Sequence, residues 1–205
     1  MPHPFNIAVL ASTKGTDLQA IIDEIKIGKL DVNLKIVISD KKNAYALERA
    51  RNQGFQAIFI NPKSKTREQF DREMLEILKK NEIDLIVLIG FMRILSPVFI
   101  KTYRNRVINV HPALIPKFSG PSFFGGNVHK AVIKSGDKET GCTFHFVTEK
   151  CDEGPIILQK KVAVEPNDTP ETLKEKVQTL EKKWYPEVIR WIQEGKVRAK
   201  NKNMR

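Results

Sequence analysis

The chain has 205 residues, enough to bury a sizeable core in one or at most two domains. With 41% hydrophobic and 29% charged residues it has a globular composition, and no apolar run approaches the roughly 20 residues that span a bilayer. A formal charge of +11 attracts anions, either nucleic acid or small phosphorylated and polycarboxylate molecules. Two cysteines, Cys142 and Cys151, are too few for a disulfide or metal framework and are expected as reduced thiols.

Residues 5–11 (FNIAVLA) have no basic region ahead of them, so they read as a buried first strand rather than a signal peptide, and a cytoplasmic protein is expected. A loop over 12–17 leads into a helix over 16–30, with Leu18, Ile21, Ile22 and Ile25 at helical spacing. A second strand is expected over 35–40, a helix over 46–55 closed near Gly54, and a third strand over 56–60. Residues 66–83 form a long amphipathic helix, with Thr66 or Ser64 as cap and Phe70, Met74, Leu75 and Leu78 on one face. The continuous apolar run over 84–90 suits a central strand buried on both sides. This alternation implies a parallel sheet with helices on both faces, and such sheets bind ligands at the carboxyl ends of their strands. The loops over 12–17, 39–43 and 90–96 are therefore the ones expected to carry function.

The second part changes character. A short strand over 106–112 is followed by a Pro-, Gly- and Phe-rich loop over 115–127 and a short helix over 128–136. Residues 141–149 alternate as a strand does, with Cys142, Phe144 and Phe146 on one face and Thr143, His145 and Val147 on the other. A strand, bent or straight, is expected over 154–166, then a helix over 169–195 with Pro170 early and a break or kink near Pro186. The end of the chain is a basic tail with no aromatic residues among its charges, which disfavours a nucleic-acid stacking surface there.

Three places could carry chemistry. In the first loop, Lys14, Gly15 and Thr16 stand where a helix begins, which suits a phosphate; a plain turn capped by Thr16 or Asp17 is an equal alternative. Asn109 and His111 alternate on one strand, so their side chains share a face; an amide beside an imidazole can bind a carbonyl oxygen and move a proton. Asp152 lies in a turn before Gly154 and Pro155, and a carboxylate near a histidine orients it and favours its protonated form. Taken singly, structural roles for Asn109, His111 and Asp152 remain open.

Taken together, seven segments in order resemble the glycinamide ribonucleotide formyltransferase family: 15–22 (GTDLQAII), 47–54 (LERARNQG), 66–74 (TREQFDREM), 90–97 (GFMRILSP), 108–118 (INVHPALIPKF), 152–159 (DEGPIILQ) and 177–189 (VQTLEKKWYPEVI). The resemblance implies an α/β fold, a doubly wound and mostly parallel sheet flanked by helices, with a C-terminal mixed β and helix portion. It implies a single domain over 1–205, with a nucleotide-binding half over 1–100, a catalytic and folate-binding half over 101–197 and the tail over 198–205. It further implies formyl transfer from 10-formyltetrahydrofolate, as co-substrate and without a metal, to the amine of phosphoribosylglycinamide. Asn109, His111 and Asp152 match the family's catalytic positions. Gly15, Thr16 and Asp17 match its phosphate turn, and Glu181 a position that helps hold the glycinamide substrate. Arg67, Met92, Arg93, Ile94, Leu95 and Asn109 match positions lining the folate site.

The turn departs from the family's glycine-rich pattern: Thr13 stands for a glycine and Asp17 for the usual asparagine. A carboxylate there repels a phosphate unless it turns away or caps the helix, and Lys14 could offset its charge. His129 has no assigned role. The partners expected are small molecules, not nucleic acid or membrane, bound by a monomer or homodimer. The alternatives are another formyl-folate enzyme, such as formyltetrahydrofolate deformylase, or a basic nucleic-acid-binding module. Deformylases usually carry an N-terminal regulatory domain, and a first strand expected at residue 5 favours the glycinamide ribonucleotide reading over that one.

Overall fold

In the computed structural model, which describes residues 4–123 and 125–199, the chain runs β1 (Asn6–Ala11), α1 (Thr16–Lys26), β2 (Asn33–Ser39), α2 (Tyr45–Asn52), β3 (Ala57–Phe59), α3 (Arg67–Lys80) and β4 (Leu85–Ile89). It continues through α4 (Pro97–Thr102), β5 (Val107–His111), α5 (Gly126–Ser135), β6 (Glu139–Phe146), β7 (Ile156–Ala163) and α6 (Pro170–Gln193). The strands form one sheet in the order β3-β2-β1-β4-β5-β6-β7. Pairings from β3 to β5 are parallel; β5–β6 and β6–β7 are antiparallel. The doubly wound, mostly parallel sheet with a mixed C-terminal part is thus present.

The two-residue period of a strand divides the core between the two faces of this sheet. On β1, Ile7, Val9 and Ala11 join one apolar layer with Leu18, Ile21 and Ile22 of α1, Leu47 of α2 and Val188 and Ile189 of α6. Ala8 and Leu10 point the other way, toward Phe70, Met74 and Leu78 of α3 and Phe99 of α4. On β4, Val87 and Ile86 divide in the same way. Where β1 pairs with β2 the register skips Lys35, so Leu34 and Val37, three apart, reach the same layer. On β6, Cys142, Phe144 and Phe146 face the α6 side, as their alternation predicts.

Several boundaries differ from the sequence reading, each for a local reason. The first helix stops at Lys26, because Gly28 turns with φ 73°; Leu30 is buried by that turn rather than by a further helical turn. Thr66, not Ser64, caps α3, through a reciprocal box with Gln69. The break expected near Pro186 is absent: α6 runs from Pro170 to Gln193, with Tyr185, Pro186, Val188 and Ile189 all buried. A proline costs an interior helix one hydrogen bond, and here the burial of its neighbours outweighs that loss. Helix α4 was not anticipated, since six residues show no periodicity. Its signal was Ser96 before Pro97: Ser96 caps the helix, and its own amide donates to buried Asp71 at 2.5 Å. The basic tail from residue 200 onward lies outside the described residues.

Tyr185 fastens α6 to the sheet. Its ring meets Phe144 edge-on, with centroids 5.2 Å apart, and its hydroxyl donates to the Leu88 carbonyl of β4 at 2.6 Å. Tyr185→Phe leaves that buried carbonyl without this donor. We predict a loss of about 1–3 kcal/mol in urea unfolding, as a lower midpoint with an unchanged slope.

Candidate functional site

Beside β1 the sheet changes its winding direction, with β2 and β3 added on one side and β4 onward on the other. Crevices for ligands open at such switch points, beyond the carboxyl ends of the strands. Ser12 ties the loops there together. Its hydroxyl donates to Asp40 at 2.6 Å and accepts from the Met92 amide at 2.9 Å, and its amide donates to the Gly90 carbonyl at 3.3 Å. Gly90 sits at φ 56°, and a Cβ there would lie 2.6 Å from the Thr13 hydroxyl, so the close approach of the two loops requires glycine.

The antiparallel register of β5 and β6 places Asn109 opposite His145 and His111 opposite Thr143, all on one face. His145 Nδ1 lies 3.0 Å from the Phe146 carbonyl, an acceptor, so that nitrogen carries the proton. Burial pushes the His145 pKa below its ordinary range, and the His111 side chain adds to this; the Phe146 carbonyl and Asp152 pull the other way. The neutral ring then offers Nε2 as an acceptor to the Asn109 amide, 3.2 Å away, which fixes how that amide is turned. Asp152 enters from the turn before β7 with φ 56°. Its Oδ2 accepts from the Gly120 amide at 2.9 Å and lies 3.5 Å from His111 Nδ1; its Oδ1 lies 3.7 Å from His145 Nε2. The other nitrogen of His111, Nε2, donates to the Phe118 carbonyl at 2.7 Å. Both His111 nitrogens thus face acceptors. Gly154 makes the turn possible, since a Cβ there would fall 1.7 Å from the Phe146 carbonyl oxygen.

Asn109, His111 and Asp152 line one cavity of about 310 Å³. Phe91, Met92, Ile94 and Leu95 supply apolar lining, and Arg93 lines it too, its guanidinium 4.5 Å over the Phe70 ring and its Nε without a hydrogen-bond partner. Met92 and Ile94 remain 45% and 51% exposed, unusual for large apolar side chains. Of the residues expected at a folate site, five of the six therefore come together here. Arg67 does not line this cavity; it stands exposed at the start of α3, near enough to Asp71 to act on its charge, as Arg93 is.

The four residues expected at the acceptor site form a second group. Gly15 is the N-cap of α1 with φ 64°, where a Cβ would lie 2.8 Å from Ala46 Cβ. No side chain caps α1, so the alternative of a turn capped by Thr16 or Asp17 is not what forms. Lys14 is exposed, with its carbonyl accepting from Arg49. Asp17 and Glu181 are both buried, and Asp17 Oδ1 has no hydrogen-bond partner. Burial pushes the Asp17 pKa from its ordinary 3.8 to about 7, against the pull of Lys182. Burial raises Glu181 too, and the Asp17 charge raises it further, against Lys182 and Lys174.

Sequence reasoning missed His145 as a site residue. A signal existed: two strands, NVH at 109–111 and TFH at 143–145, each put polar residues on the face opposite their apolar ones. Thr143 anchors the loop after β5, donating to the Ala113 carbonyl at 2.7 Å and accepting from the Ile115 amide at 3.1 Å. His129 is buried on α5 with Nδ1 unpartnered; burial lowers its pKa to about 4, with Lys174 and His111 adding to the effect. Both cysteines are free thiols. Among the described residues no helix is long and apolar enough to cross a membrane, and no group of three or more His, Cys, Asp or Glu side chains could hold a metal ion.

A profile of the formyl transferase family matches residues 5–189. The chain is 41% identical over 194 residues to phosphoribosylglycinamide formyltransferase of Escherichia coli, covering 94% of this chain and 89% of that one. It superposes on the crystal structure of glycinamide ribonucleotide transformylase 1 from Symbiobacterium toebii with a TM-score of 0.89 at 40% identity, covering 95% and 90% of the two chains. With phosphoribosylglycinamide formyltransferase from Coxiella burnetii, solved in complex with CHES, the TM-score is 0.90 at 38% identity, covering 97% and 92%.

A buried acid with a raised pKa holds its proton more tightly in the fold than in the unfolded chain. Its contribution to stability is complete below about pH 4 and is lost as pH rises through about 7. We predict that Asp17→Asn melts close to the parent at pH 4 and above it at pH 8, by about 2–4 °C for each kcal/mol recovered, in melting curves recorded across pH.

Proposed function

We infer that this chain, which belongs to the formyl transferase family, transfers a formyl group from 10-formyltetrahydrofolate to the amine of phosphoribosylglycinamide in purine biosynthesis. The observation that carries the mechanism is the meeting of Asn109, His111 and Asp152 in one largely apolar cavity that also holds Arg93. Phe91, Met92, Ile94 and Leu95 suit a flat heteroaromatic ring, and the Arg93 cation suits the carboxylates at the far end of a folate. The N-terminus of α1, with Gly15, Thr16 and Lys14, suits the acceptor's phosphate, and Glu181 suits its sugar and glycinamide part.

In the reaction a bond forms between the acceptor nitrogen and the formyl carbon, and the bond from that carbon to the folate nitrogen breaks. Negative charge gathers on the formyl oxygen as the first bond forms, and one proton passes from the attacking amine to the departing folate nitrogen. His111 Nε2 is a donor already directed at an oxygen, the Phe118 carbonyl, and a formyl oxygen taking that place would receive the same hydrogen bond. Asp152 Oδ2, 3.5 Å from the opposite ring nitrogen, stands where it stabilises positive charge that develops on the ring during transfer. His145 keeps the Asn109 amide turned so that its remaining N–H can serve as a second donor. Both sites are built from one chain, which is consistent with a monomer or homodimer, and two free thiols suit a cytoplasmic setting.

Removing one such oxyanion donor typically costs about 10²–10³ in rate. We predict that His111→Ala and Asp152→Asn lose at least about 10²-fold in kcat for formyl transfer to phosphoribosylglycinamide while remaining folded by circular dichroism. Near-normal turnover by either variant contradicts these roles.

A further inference from the structure

The antiparallel registers line up a row of side chains across the end of the sheet. His111 on β5 is opposite Thr143 on β6, and Thr143 is opposite Gln159 on the edge strand β7. Directly paired residues share a face. The chain that leaves β5 folds back over this row and bonds to each member of it. The Thr143 hydroxyl donates to the Ala113 carbonyl at 2.7 Å and accepts from the Ile115 amide at 3.1 Å. Nε2 of Gln159 donates to the Ile115 carbonyl at 2.9 Å and to the Thr143 hydroxyl at 3.0 Å. Farther along the same loop, the Phe118 carbonyl accepts from His111 Nε2 at 2.7 Å, and the Gly120 amide donates to Asp152 Oδ2 at 2.9 Å. A hydroxyl has one proton and two lone pairs. With Ile115 and Gln159 on the lone pairs, the Thr143 proton is left one direction, toward Ala113. Gln159 is exposed, while Thr143 and His111 are buried, so the row runs from the surface to the catalytic histidine of the proposed function. Among the described residues, His111 and Pro112 line the cavity, whereas Ala113, Ile115, Thr143 and Gln159 stand outside it.

We propose that Gln159 is a positioning residue for formyl transfer: from the edge strand it clamps the loop after β5, and through that loop it holds the His111 ring and Asp152 in their working geometry. This rests on the reading of His111 as the donor to the formyl oxygen. The His111 ring has the Phe118 carbonyl at one nitrogen and Asp152 at the other, and the loop reaches both, directly at Phe118 and through the Gly120 amide at Asp152. Without the Gln159 amide, the Ile115 carbonyl loses its bond to β7, and the Thr143 hydroxyl gains a free lone pair and is no longer held to one direction. The loop then shifts over the row, and the two contacts that aim the ring shift with it. A misplacement of about 1 Å at a reacting group costs on the order of 10²-fold in rate. Because Gln159 is at the surface, water replaces its hydrogen bonds when it is removed, so the loss falls on geometry more than on stability.

The test is kcat and KM for both substrates in the parent, in Gln159→Ala, Gln159→Glu and Gln159→Lys, and in His111→Ala with and without Gln159→Ala. The alanine variant is expected to lose at least about tenfold in kcat, with both KM values within about twofold of the parent's. Glutamate has the same length but its carboxylate only accepts, so it is expected to lose at least as much. Lysine keeps a donor of similar reach and is expected to regain most of the loss. In the His111→Ala background, Gln159→Ala is expected to cost nothing further, because the ring that it positions is gone. Parent-like kcat in the alanine or glutamate variant overturns the proposal, as does a lysine variant no better than alanine. A raised KM with unchanged kcat overturns it in favour of a binding role, and equal fractional losses with and without His111 overturn it in favour of a purely structural one. A parent that transfers no formyl group to phosphoribosylglycinamide, or a His111→Ala variant as active as the parent, instead overturns the reading beneath the proposal. Circular dichroism and melting curves show that each variant is folded.

Discussion

Between β1 and β4 the sheet changes its winding direction, and the two regions proposed for the substrates take their positions from that change. Crossover connections from β1 to β3 build one wing, and those from β4 onward build the other, so the loops after β1 and β4 diverge and leave a crevice. Ser12 then draws the rims back together through Asp40, Gly90 and Met92. The loop after β1 opens a helix N-terminus to one side, and the loop after β4 lines an apolar cavity on the other. An anionic acceptor and a flat apolar donor need such opposite surroundings within reach of one reacting centre.

The proposed reacting centre depends in turn on antiparallel pairing added to a parallel sheet. A further parallel strand would have needed another crossover; β6 instead returns alongside β5 and brings His145 opposite Asn109. Polar side chains on that face would be costly inside a core, and they are accommodated because each finds a partner: His145 with Phe146 and Asn109, Thr143 with Ala113 and Ile115, Asp152 with Gly120. Asp17 is the contrasting case. One of its carboxyl oxygens is buried without a partner, which costs stability.

The wound sheet, its helices on both faces and the approach of Asn109 to His111 were legible because strand and helix periods sort side chains onto faces before any tertiary contact is known. Asp152 could be named but not positioned, since its place depends on a turn that exists only because Gly154 lets the backbone touch Phe146. His145 was hidden in plain alternation: its role arises from cross-strand register, which local pattern does not specify. Helix α4 escaped because it is too short for a period, and the uninterrupted path of α6 through Pro186 because tertiary burial overrode a local preference. Arg67 shows the converse: a motif match that the described geometry leaves outside the cavity.

The central claim is that the two regions serve one reaction, in which the folate gives up its formyl group only to the bound nucleotide. The most direct measurement follows folate release spectrophotometrically from 10-formyltetrahydrofolate with the parent protein, with and without phosphoribosylglycinamide. The account predicts release that requires the nucleotide and matches it mole for mole in formylated product. Release at the same rate without the nucleotide would contradict it and would mean that water, not the amine, takes the formyl group.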